Sequence, residues 1–405
     1  MRYVKSDMRY AKSDMRYAKS DRLRGRENRV RNIMVIKSNY GRFGGAETVL
    51  SSILKRLDRR CFHLTFIKLT HNSDYKLSTL EDGVVLGIDE RAVRWKNYFS
   101  MLDAVREIRK SIADSDIDVI YTHDMRADMI GYAMTLLRRI PWVAHIHGWL
   151  GQTACVKTRF HEWVDRKLIA RATVVLSSSE HLRCTIQAKC KCRAIEVVPN
   201  SVDPDRLTLS QAQVKDIRQR LMPNNSGTII GTVGRLHRGK GHQILLRALA
   251  QLRHGHPSIK CLIVGEGPYQ NNLRQLARQL RIEDSVVFAG YHENITSYVG
   301  AMDLFVMCSF TESLPMALLE AMLLGKPVVA TDVGDVRYVL DSGKAGILIK
   351  PGRVDDVVRA IKILIQQPEL RQRLAEAGKR RVFSDYSVQH TVREIESVLL
   401  SACSR

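Results

Sequence analysis

The sequence predicts an α/β fold of two doubly wound, Rossmann-like parallel-sheet domains that face a central cleft. From residue 32 onward, short runs of β-branched and apolar residues alternate with segments of helical periodicity. The runs are apolar on both faces, which is typical of parallel strands covered by helices on each side. The series restarts after a Pro/Asn/Asp-rich stretch at 199–205, so we expect a second domain beyond it.

The first series predicts a domain over residues 32–205. It opens with the strand NIMVIK and the helical segment AETVLSSILKRL, and its later strands read FHLTFIKL, IDVIY, WVAHI, TVVLS and AIEVV. The second series predicts a domain over residues 206–385, with strands GTIIGTV, KCLIVG, SVVFAG, LFVMCS, KPVVAT and AGILIK. Residues 1–31 form a basic leader with three near-copies of one heptad (MRYVKSD, MRYAKSD, MRYAKSD), which we expect to be disordered.

Composition limits the class of protein. No apolar run reaches the length of about 18–20 residues that a membrane-spanning helix needs, and the N-terminus lacks the apolar core of a secretory signal. The eight cysteines show no disulfide or zinc spacing, so we expect reduced thiols and a cytoplasmic protein. The net charge of +22 favours an anionic partner: a nucleic acid, an acidic membrane surface or a phosphorylated substrate.

Two strand-to-helix loops of the first domain are candidates for ligand binding. Gly44 and Gly45 directly precede a helix, where glycine lets a ligand approach the backbone and the helix start favours an anion. A simple tight turn explains them equally well. His145 and His147 lie on the same side of a strand, but the sequence shows no third ligand for a metal. We favour a hydrogen bond from His147 to a ligand hydroxyl, with a structural histidine as the alternative.

The second domain supplies basic and glycine-rich loops. Arg235 and Lys240 follow one strand, and a guanidinium with an ammonium suits a pyrophosphate, although a solvated basic loop is the alternative. Gly265 and Gly267 line the next strand-to-helix turn. Because ligands of such sheets bind at the carboxyl ends of the strands, these loops are expected to share one edge.

Two glutamates flank a predicted helix start in SFTESLPMALLEAMLLGKPVVAT, residues 309–331. Pro315 suits the first helical position, and Gly325 ends the helix. Glu312 then lies in the loop ahead of the helix and Glu320 about five residues into it, with helix-start N–H groups between them that can receive a phosphate. Two hydroxyl-binding carboxylates around an anion site match a sugar, a diphosphate and a ribose in a row.

This ordered set of motifs resembles the retaining glycosyltransferases of family 4, which have the GT-B fold of two Rossmann-like domains. The resemblance covers about residues 32–385 and rests on GGAE at 44–47, PNSVD at 199–203, VGRLHRGKG at 233–241, GEGP at 265–268 and the glutamate pair. Residues 386–405 resemble the closing helix of the family, which crosses back to the N-terminal domain. The chain departs from the family pattern at Ser201, Ser313, Asp335 and Tyr338.

The resemblance implies a retaining transfer of a hexose from a nucleotide-diphosphate sugar to a hydroxyl acceptor, with a lipid-linked or cell-surface glycan precursor as the expected acceptor. It implies that Glu320 holds the ribose and that Glu312, with the backbone at Leu314, Pro315 and Met316, holds the sugar and diphosphate. Arg235 and Lys240 would neutralise the leaving diphosphate, and His147 would contact the donor sugar. The glycines at 44, 45, 265 and 267 complete the expected donor site. No metal cofactor is expected.

Two alternatives stay open: a sugar-nucleotide epimerase on the same fold, and a basic protein that binds nucleic acid. The second is disfavoured because aromatic residues are few, at 6%, and no nucleic-acid-binding motif is present. An anionic membrane surface is a further expected partner. Residues 91–110 combine six Lys/Arg with aromatic residues, although their apolar stripe has ordinary core spacing.

Overall fold

The computed structural model describes residues 29–38, 44–70, 88–95, 100–112, 115–149, 156–224 and 226–404. The repeated heptads and nearly all of the predicted leader lie outside these ranges. The chain forms two compact units. One unit ends at Pro199 and resumes at Val388, and the other is Asn200–Ser387. The sequence pattern placed the junctions after residues 205 and 385.

The first unit is a seven-stranded parallel sheet with the strand order β3-β2-β1-β4-β5-β6-β7. Its strands are β1 (Arg31–Ser38), β2 (Phe62–Thr70), β3 (Asp89–Arg94), β4 (Val119–Thr122), β5 (Trp142–Ile146), β6 (Val174–Ser177) and β7 (Ile195–Val197). Its helices are α1 (Gly45–Arg56), α2 (Met101–Ser111), α3 (Met125–Arg138), α4 (Val156–Ile169) and α5 (Glu180–Lys189). The doubly wound sheet predicted for this half of the chain is confirmed.

Helix α1 shows how the sequence pattern builds this layer. Val49, Leu50, Ile53 and Leu54 recur at helical spacing and are buried, whereas Lys55 is exposed. An apolar stripe of this period is the face that a helix packs into the protein interior.

Strand β3 is the one strand of this sheet that the apolar runs did not reveal. Its sequence, DERAVR, is charged, because an edge strand needs only one buried face. Residues 91–94 of the predicted membrane-contact segment therefore belong to the sheet. Trp95 is buried, and so are Val105 and Ile108 of the helix that follows. Leu102 of the same helix is 61% exposed, so the core spacing predicted for that segment is confirmed only in part.

The second unit is a six-stranded parallel sheet with the order β10-β9-β8-β11-β12-β13. Its strands are β8 (Thr228–Val233), β9 (Ile259–Val264), β10 (Val286–Gly290), β11 (Leu304–Met307), β12 (Val328–Thr331) and β13 (Ile347–Ile349). Its helices are α6 (Gln211–Leu221), α7 (His242–Arg253), α8 (Gln270–Gln279), α9 (Thr296–Ala301), α10 (Met316–Leu323), α11 (Val336–Val339), α12 (Val354–Gln366) and α13 (Pro368–Asp385). Central strand residues such as Ile263, Leu304 and Val306 form its core with the helices.

The last helix, α14 (Val388–Cys403), packs on the first unit. Its Glu396 accepts a hydrogen bond from the backbone N–H of Asp58 at 2.8 Å, and the hydroxyl of Thr391 donates to the carbonyl of Pro199 at 3.2 Å.

Within the described part of the chain, no helix combines the length and apolar character needed to cross a bilayer. The seven cysteines of that part are all free thiols.

Candidate active site

The second sheet has its topological switch point between β8 and β11, where the strand order reverses. Ligands of doubly wound sheets bind beside the carboxyl ends of the strands at such a point. Lys240 follows β8 and Glu312 follows β11, and the Nζ of Lys240 lies 2.7 Å from Oε1 of Glu312. The hydroxyl of Ser309 donates to the same carboxylate oxygen at 2.7 Å. Two residues that are 72 positions apart are therefore joined at the expected place in the sheet.

Backbone packing holds Lys240 in this position. Residues Arg238–Lys240 form a 3₁₀ turn that ends at Gly241, whose φ is +67°. A Cβ at Gly241 would lie 1.9 Å from the carbonyl oxygen of Cys308, so the turn packs directly on the end of β11. The N–H of Phe310 donates to the carbonyl of Gly239 at 2.8 Å. The lysine therefore projects from a rigid turn.

A second glycine fixes the loop that carries Glu312. Gly334 has a φ of +55°, and a Cβ there would meet the carbonyl oxygen of Glu312 at 2.1 Å. The N–H of Asp335 donates to the carbonyl of Ser313 at 3.0 Å. The loop after β12 therefore packs against the backbone of the Glu312 loop. The side chain of Glu312 is only 10% exposed. Asp335, a departure from the family pattern, contributes through its backbone.

Helix α10 begins one residue later than predicted. Pro315 is the cap, with extended φ and ψ of −76° and 119°, and Met316 is the first helical residue. The extended ψ keeps Pro315 out of the helix, and its carbonyl accepts a hydrogen bond from the N–H of Leu319 at 3.4 Å, as the carbonyl of a cap residue does. The predicted stop is confirmed, since Gly325 follows the helix with a φ of +69°. The apolar neighbours of Glu320 are buried, as expected: Met316, Leu318, Leu319 and Met322.

Glu320 is the fifth residue of α10 and is half-buried. Burial raises its pKa to about 7, and the nearby guanidinium of Arg206 opposes that shift only in part. The carboxyl is therefore close to half-ionised at neutral pH. Near the start of the same helix, the side-chain amide of Asn200 donates to the carbonyl of Leu314 at 3.1 Å. Asn200 belongs to the PNSVD motif, so the motif buttresses the loop before α10.

The glycines after β8 and β9 allow two loops to touch. Gly265 has a φ of +133°, and a Cβ there would lie 2.1 Å from the carbonyl oxygen of Gly234. A Cβ at Gly267 would lie 2.2 Å from the carbonyl oxygen of Leu236. Close backbone packing therefore explains why glycine stands at these two positions. Their contact with a ligand stays a prediction. Arg235, between the two contacts, is exposed.

In the first unit, the predicted glycine loop leads into an exposed helix start. Gly44 caps α1, and its N–H donates to the carboxylate of Glu47 at 3.0 Å; Gly45 is exposed beside it. The ammonium of the buried Lys37 joins Glu47, at 3.1 Å, to Asp124, at 3.3 Å. The carboxylate of Glu47 therefore lies at this helix start, and the anion site predicted at Gly44 and Gly45 stays a prediction.

Sequence reasoning missed the buried pair of Lys37 and Asp124. Asp124 caps α3 by accepting from the N–H groups of Arg126 and Ala127, and it also accepts from both the N–H and the hydroxyl of Ser38. Burial alone would raise the pKa of Asp124, but Lys37 and these hydrogen bonds outweigh it, and the pKa lies below its ordinary value. The strand-end position of both residues was the available signal.

The fold also supplies the third histidine that the sequence did not reveal. His123 follows β4 and lies beside His145 and His147 of the neighbouring strand end. The Nδ1 of His123 is 3.1 Å from the Nε2 of His147, and the hydroxyl of Tyr121 is 2.8 Å from the Nδ1 of His145. Burial lowers the pKa of His123 and of His145 well below the ordinary value, so both rings are neutral at pH 7.

Two parallel-sheet α/β domains of seven and six strands match the GT-B fold. The sequence profile of Glycosyl transferases group 1 matches residues 213–381, and that of Glycosyltransferase Family 4 matches residues 43–206. Together they cover most of both units. The chain belongs to the glycosyltransferases of family 4, and the resemblance seen in its motifs is confirmed.

The curated relatives are about a quarter identical to this chain over the aligned residues. The chain is 29% identical to the 2-deoxystreptamine glucosyltransferase of Streptomyces kanamyceticus over 232 residues, which are 56% of this chain and 60% of that protein. It is 25% identical over 366 residues to an uncharacterized glycosyltransferase of Haemophilus influenzae, covering 89% of this chain and 98% of that one. The chain thus spans less than two thirds of the first relative and nearly all of the second.

Solved structures confirm the fold. The chain is similar to the crystal structure of Anabaena Alr3699/HepE in complex with UDP and glucose, with a TM-score of 0.79 and 24% identity, covering 92% of this chain and all of that one. It is also similar to WaaG, a glycosyltransferase involved in lipopolysaccharide biosynthesis, with a TM-score of 0.69, 16% identity, and coverage of 90% and 99%. At these identities the likeness concerns the fold.

Proposed function

We propose that this glycosyltransferase transfers a hexose, with retention of configuration, from a nucleotide-diphosphate sugar to a hydroxyl acceptor. The contact between Lys240 and Glu312 at the switch point of the second sheet carries the proposal. It places a cation and a hydroxyl-binding carboxylate side by side, which is what the junction of a diphosphate and a sugar requires. The UDP and glucose found in the Anabaena structure agree with a donor of this class.

The remaining residues take roles along the proposed donor. Glu320 accepts from the ribose hydroxyls, and Glu312 accepts from the sugar hydroxyls. The helix start at Leu314, Pro315 and Met316 receives the diphosphate between them. The glycines at 44, 45, 265 and 267 let the ligand approach the backbone. We propose that the first unit supplies His147 to the sugar.

The proposed reaction needs charge stabilisation more than a nucleophile. The bond between the anomeric carbon and the phosphate oxygen breaks, and its electrons stay on the diphosphate. The acceptor oxygen bonds to the anomeric carbon from the same face, and its proton passes to the leaving phosphate oxygen. Arg235, Lys240 and the helix-start amides stabilise the charge that develops on the diphosphate. Such electrostatic stabilisation of the transition state is usually the largest single contribution to catalysis.

The donor is tested with a panel of nucleotide sugars and the unmodified protein. A ligand that binds only the folded state stabilises it by about 2.7 kcal/mol at 100 times its Kd. We expect at least one nucleotide-diphosphate sugar to raise the melting temperature with concentration and to be hydrolysed slowly without an acceptor. Interconversion of the sugar without an acceptor would instead favour the epimerase, and salt-dependent binding of nucleic acid alone would favour the other alternative.

Donor affinity should depend on pH through Glu320. Its pKa is raised to about 7, so the carboxyl is protonated below pH 7 and ionised above it. Ribose hydroxyls donate most strongly to the ionised form. If only that form binds, the measured Kd rises about tenfold as the pH falls from 8 to 6. Titration calorimetry with the nucleoside diphosphate measures this effect, and Glu320→Gln should flatten the dependence; an unchanged slope in that variant would assign it to another group.

We propose a membrane-bound, lipid-linked acceptor on the cytoplasmic face as the partner that uses the positive charge. The predicted segment at 91–110 buries Val105 and Ile108 of its apolar stripe but exposes Leu102, and helix α4 offers a second exposed surface. Helix α4 exposes Phe160, at 60%, and Trp163, at 52%, beside the exposed Lys167. Exposed aromatic and basic residues on one helix suit an anionic interface. Cosedimentation with anionic but not neutral vesicles, lost in a Phe160→Ala/Trp163→Ala variant, is the corresponding measurement.

A further inference from the structure

The three histidines of the first unit form a compact cluster. His145 and His147 lie two residues apart, so they project from the same face of the β5 strand end. His123 comes from the adjacent strand end, because β4 pairs with β5. The ring centroids of His145 and His147 are 4.3 Å apart, and those of His123 and His145 are 5.2 Å apart. One ring nitrogen from each histidine lies within 4.8 Å of the other two.

Two ring nitrogens of the cluster are buried without a hydrogen-bond partner among the residues that the structure describes. They are the Nε2 of His145, which is available to an ion in the cluster, and the Nε2 of His123, whose other ring nitrogen, Nδ1, is the one that faces His147. Leaving a buried polar atom unpaired costs about 1–3 kcal/mol, so such atoms usually have a ligand or a functional reason. His145 and His123 are 1% and 3% exposed, so bulk water does not satisfy them.

A contact with Tyr121 orients the ring of His145 for metal coordination. The hydroxyl of Tyr121 lies 2.8 Å from the Nδ1 of His145. When Nδ1 donates its proton to that oxygen, Nε2 carries the lone pair. A partner on the second nitrogen is what orients metal-bound histidines in proteins, since it fixes both the tautomer and the ring plane.

We propose that His123, His145 and His147 bind one divalent transition-metal ion of the zinc class, with a fourth position left open. Three imidazoles are a donor set that suits Zn²⁺ and Co²⁺ and discriminates against Mg²⁺ and Ca²⁺, which prefer oxygen. Ligand nitrogens around tetrahedral zinc are about 3.3 Å apart, given bonds of about 2.05 Å. The Nδ1 of His123 and the Nε2 of His147 are 3.1 Å apart, which is already close to this size, and ligand atoms of all three histidines lie within 4.8 Å of one another.

The proposed site goes beyond the proposed transfer reaction, for which no metal is expected. It has one consequence that rests on the proposed function. An imidazole of His147 held by a metal is not available to a sugar hydroxyl, so occupation of the site should inhibit transfer. Metal binding itself does not depend on that role.

The test titrates the full-length protein with Co²⁺ alone, after removal of metals with a chelator and alkylation of the thiols. We expect about one equivalent to bind and to produce the visible absorption bands of tetrahedral Co²⁺. His123→Asn and His145→Gln should each remove these bands and weaken binding at least tenfold. The matched control is His63→Asn, because His63 is exposed on β2 of the same unit. Circular dichroism and the melting temperature establish that each variant is folded.

Retention of the bands in folded His123→Asn and His145→Gln proteins, or the absence of bands in the unmodified protein, would overturn the site. Zn²⁺ calorimetry supplies a second readout with the same variants. Inhibition of transfer by Zn²⁺ in the unmodified protein, but not in His123→Asn, supports the consequence for His147. Binding without inhibition would support the metal site and overturn the proposed contact of His147 with the sugar.

Discussion

Glu312→Gln should reduce turnover about 100-fold or more while leaving the melting temperature nearly unchanged. The carboxylate accepts from both Ser309 and Lys240 at 2.7 Å, so it positions the lysine as well as offering an acceptor to a sugar hydroxyl. The amide keeps the shape but loses the charge, and its NH₂ group can face the ammonium of Lys240. The loss of one preorganised electrostatic contact in an active site costs about 10²–10³ in rate.

The measurement is kcat with a donor identified in the nucleotide-sugar panel. Glu293→Gln is the matched control, because Glu293 is an exposed glutamate of the same unit and should behave like the unmodified protein. Near-normal kcat in Glu312→Gln would remove Glu312 from the catalytic site. A lowered melting temperature with a proportionate loss of soluble enzyme would assign the effect to folding.

Lys240→Ala should lower kcat by about 10²–10³, equivalent to about 3–4 kcal/mol of transition-state stabilisation. Its ammonium is the fixed cation at the switch point, and its loss also leaves Glu312 without its ion-pair partner. Arg235→Ala should act in the same direction. Because Glu312 and Lys240 are in contact, the double variant should lose less than the sum of the two single losses.

Arg238→Ala provides the control for both basic residues, since Arg238 lies in the same turn and is exposed. Lys240→Arg should recover part of the rate, because it keeps the charge but not the compact shape of the ammonium. Equal kcat in Lys240→Ala, Arg235→Ala and Arg238→Ala would contradict the proposed role of this loop. Steady-state kinetics at saturating donor separates an effect on kcat from an effect on binding.

The strands that can be read from the sequence are those with an apolar run, including the edge strands β7, β10 and β13. NIMVIK and WVAHI correspond to β1 and β5 within one residue at each end. The edge strand β3 could not be read, because its sequence, DERAVR, is mostly charged and contains no apolar run. The offset at Pro315 is of a different kind. Propensity places proline near a helix start, but only the path of the loop decides between the cap and the first turn.

Some residues of the candidate site could be predicted from local sequence, and others depend on the order of the strands in the sheet. Glu312, Glu320 and Lys240 stand in local motifs, and their positions after parallel strands were enough to predict a shared edge. The ion pair of Lys37 with Asp124 and the addition of His123 to the histidine pair depend on which strands are neighbours. That information is set by sheet order and not by local sequence. The same limit explains why the packing role of Asn200 was not foreseen.

The central claim is that the two glutamates bind different ends of one donor. Calorimetry with the nucleoside diphosphate and with its sugar conjugate, applied to Glu312→Gln and Glu320→Gln, tests it most directly. We expect Glu320→Gln to weaken both ligands equally, whereas Glu312→Gln should weaken the conjugate and leave the nucleoside diphosphate nearly unaffected. If both folded variants bind each ligand as tightly as the unmodified protein does, the two glutamates do not bind the donor.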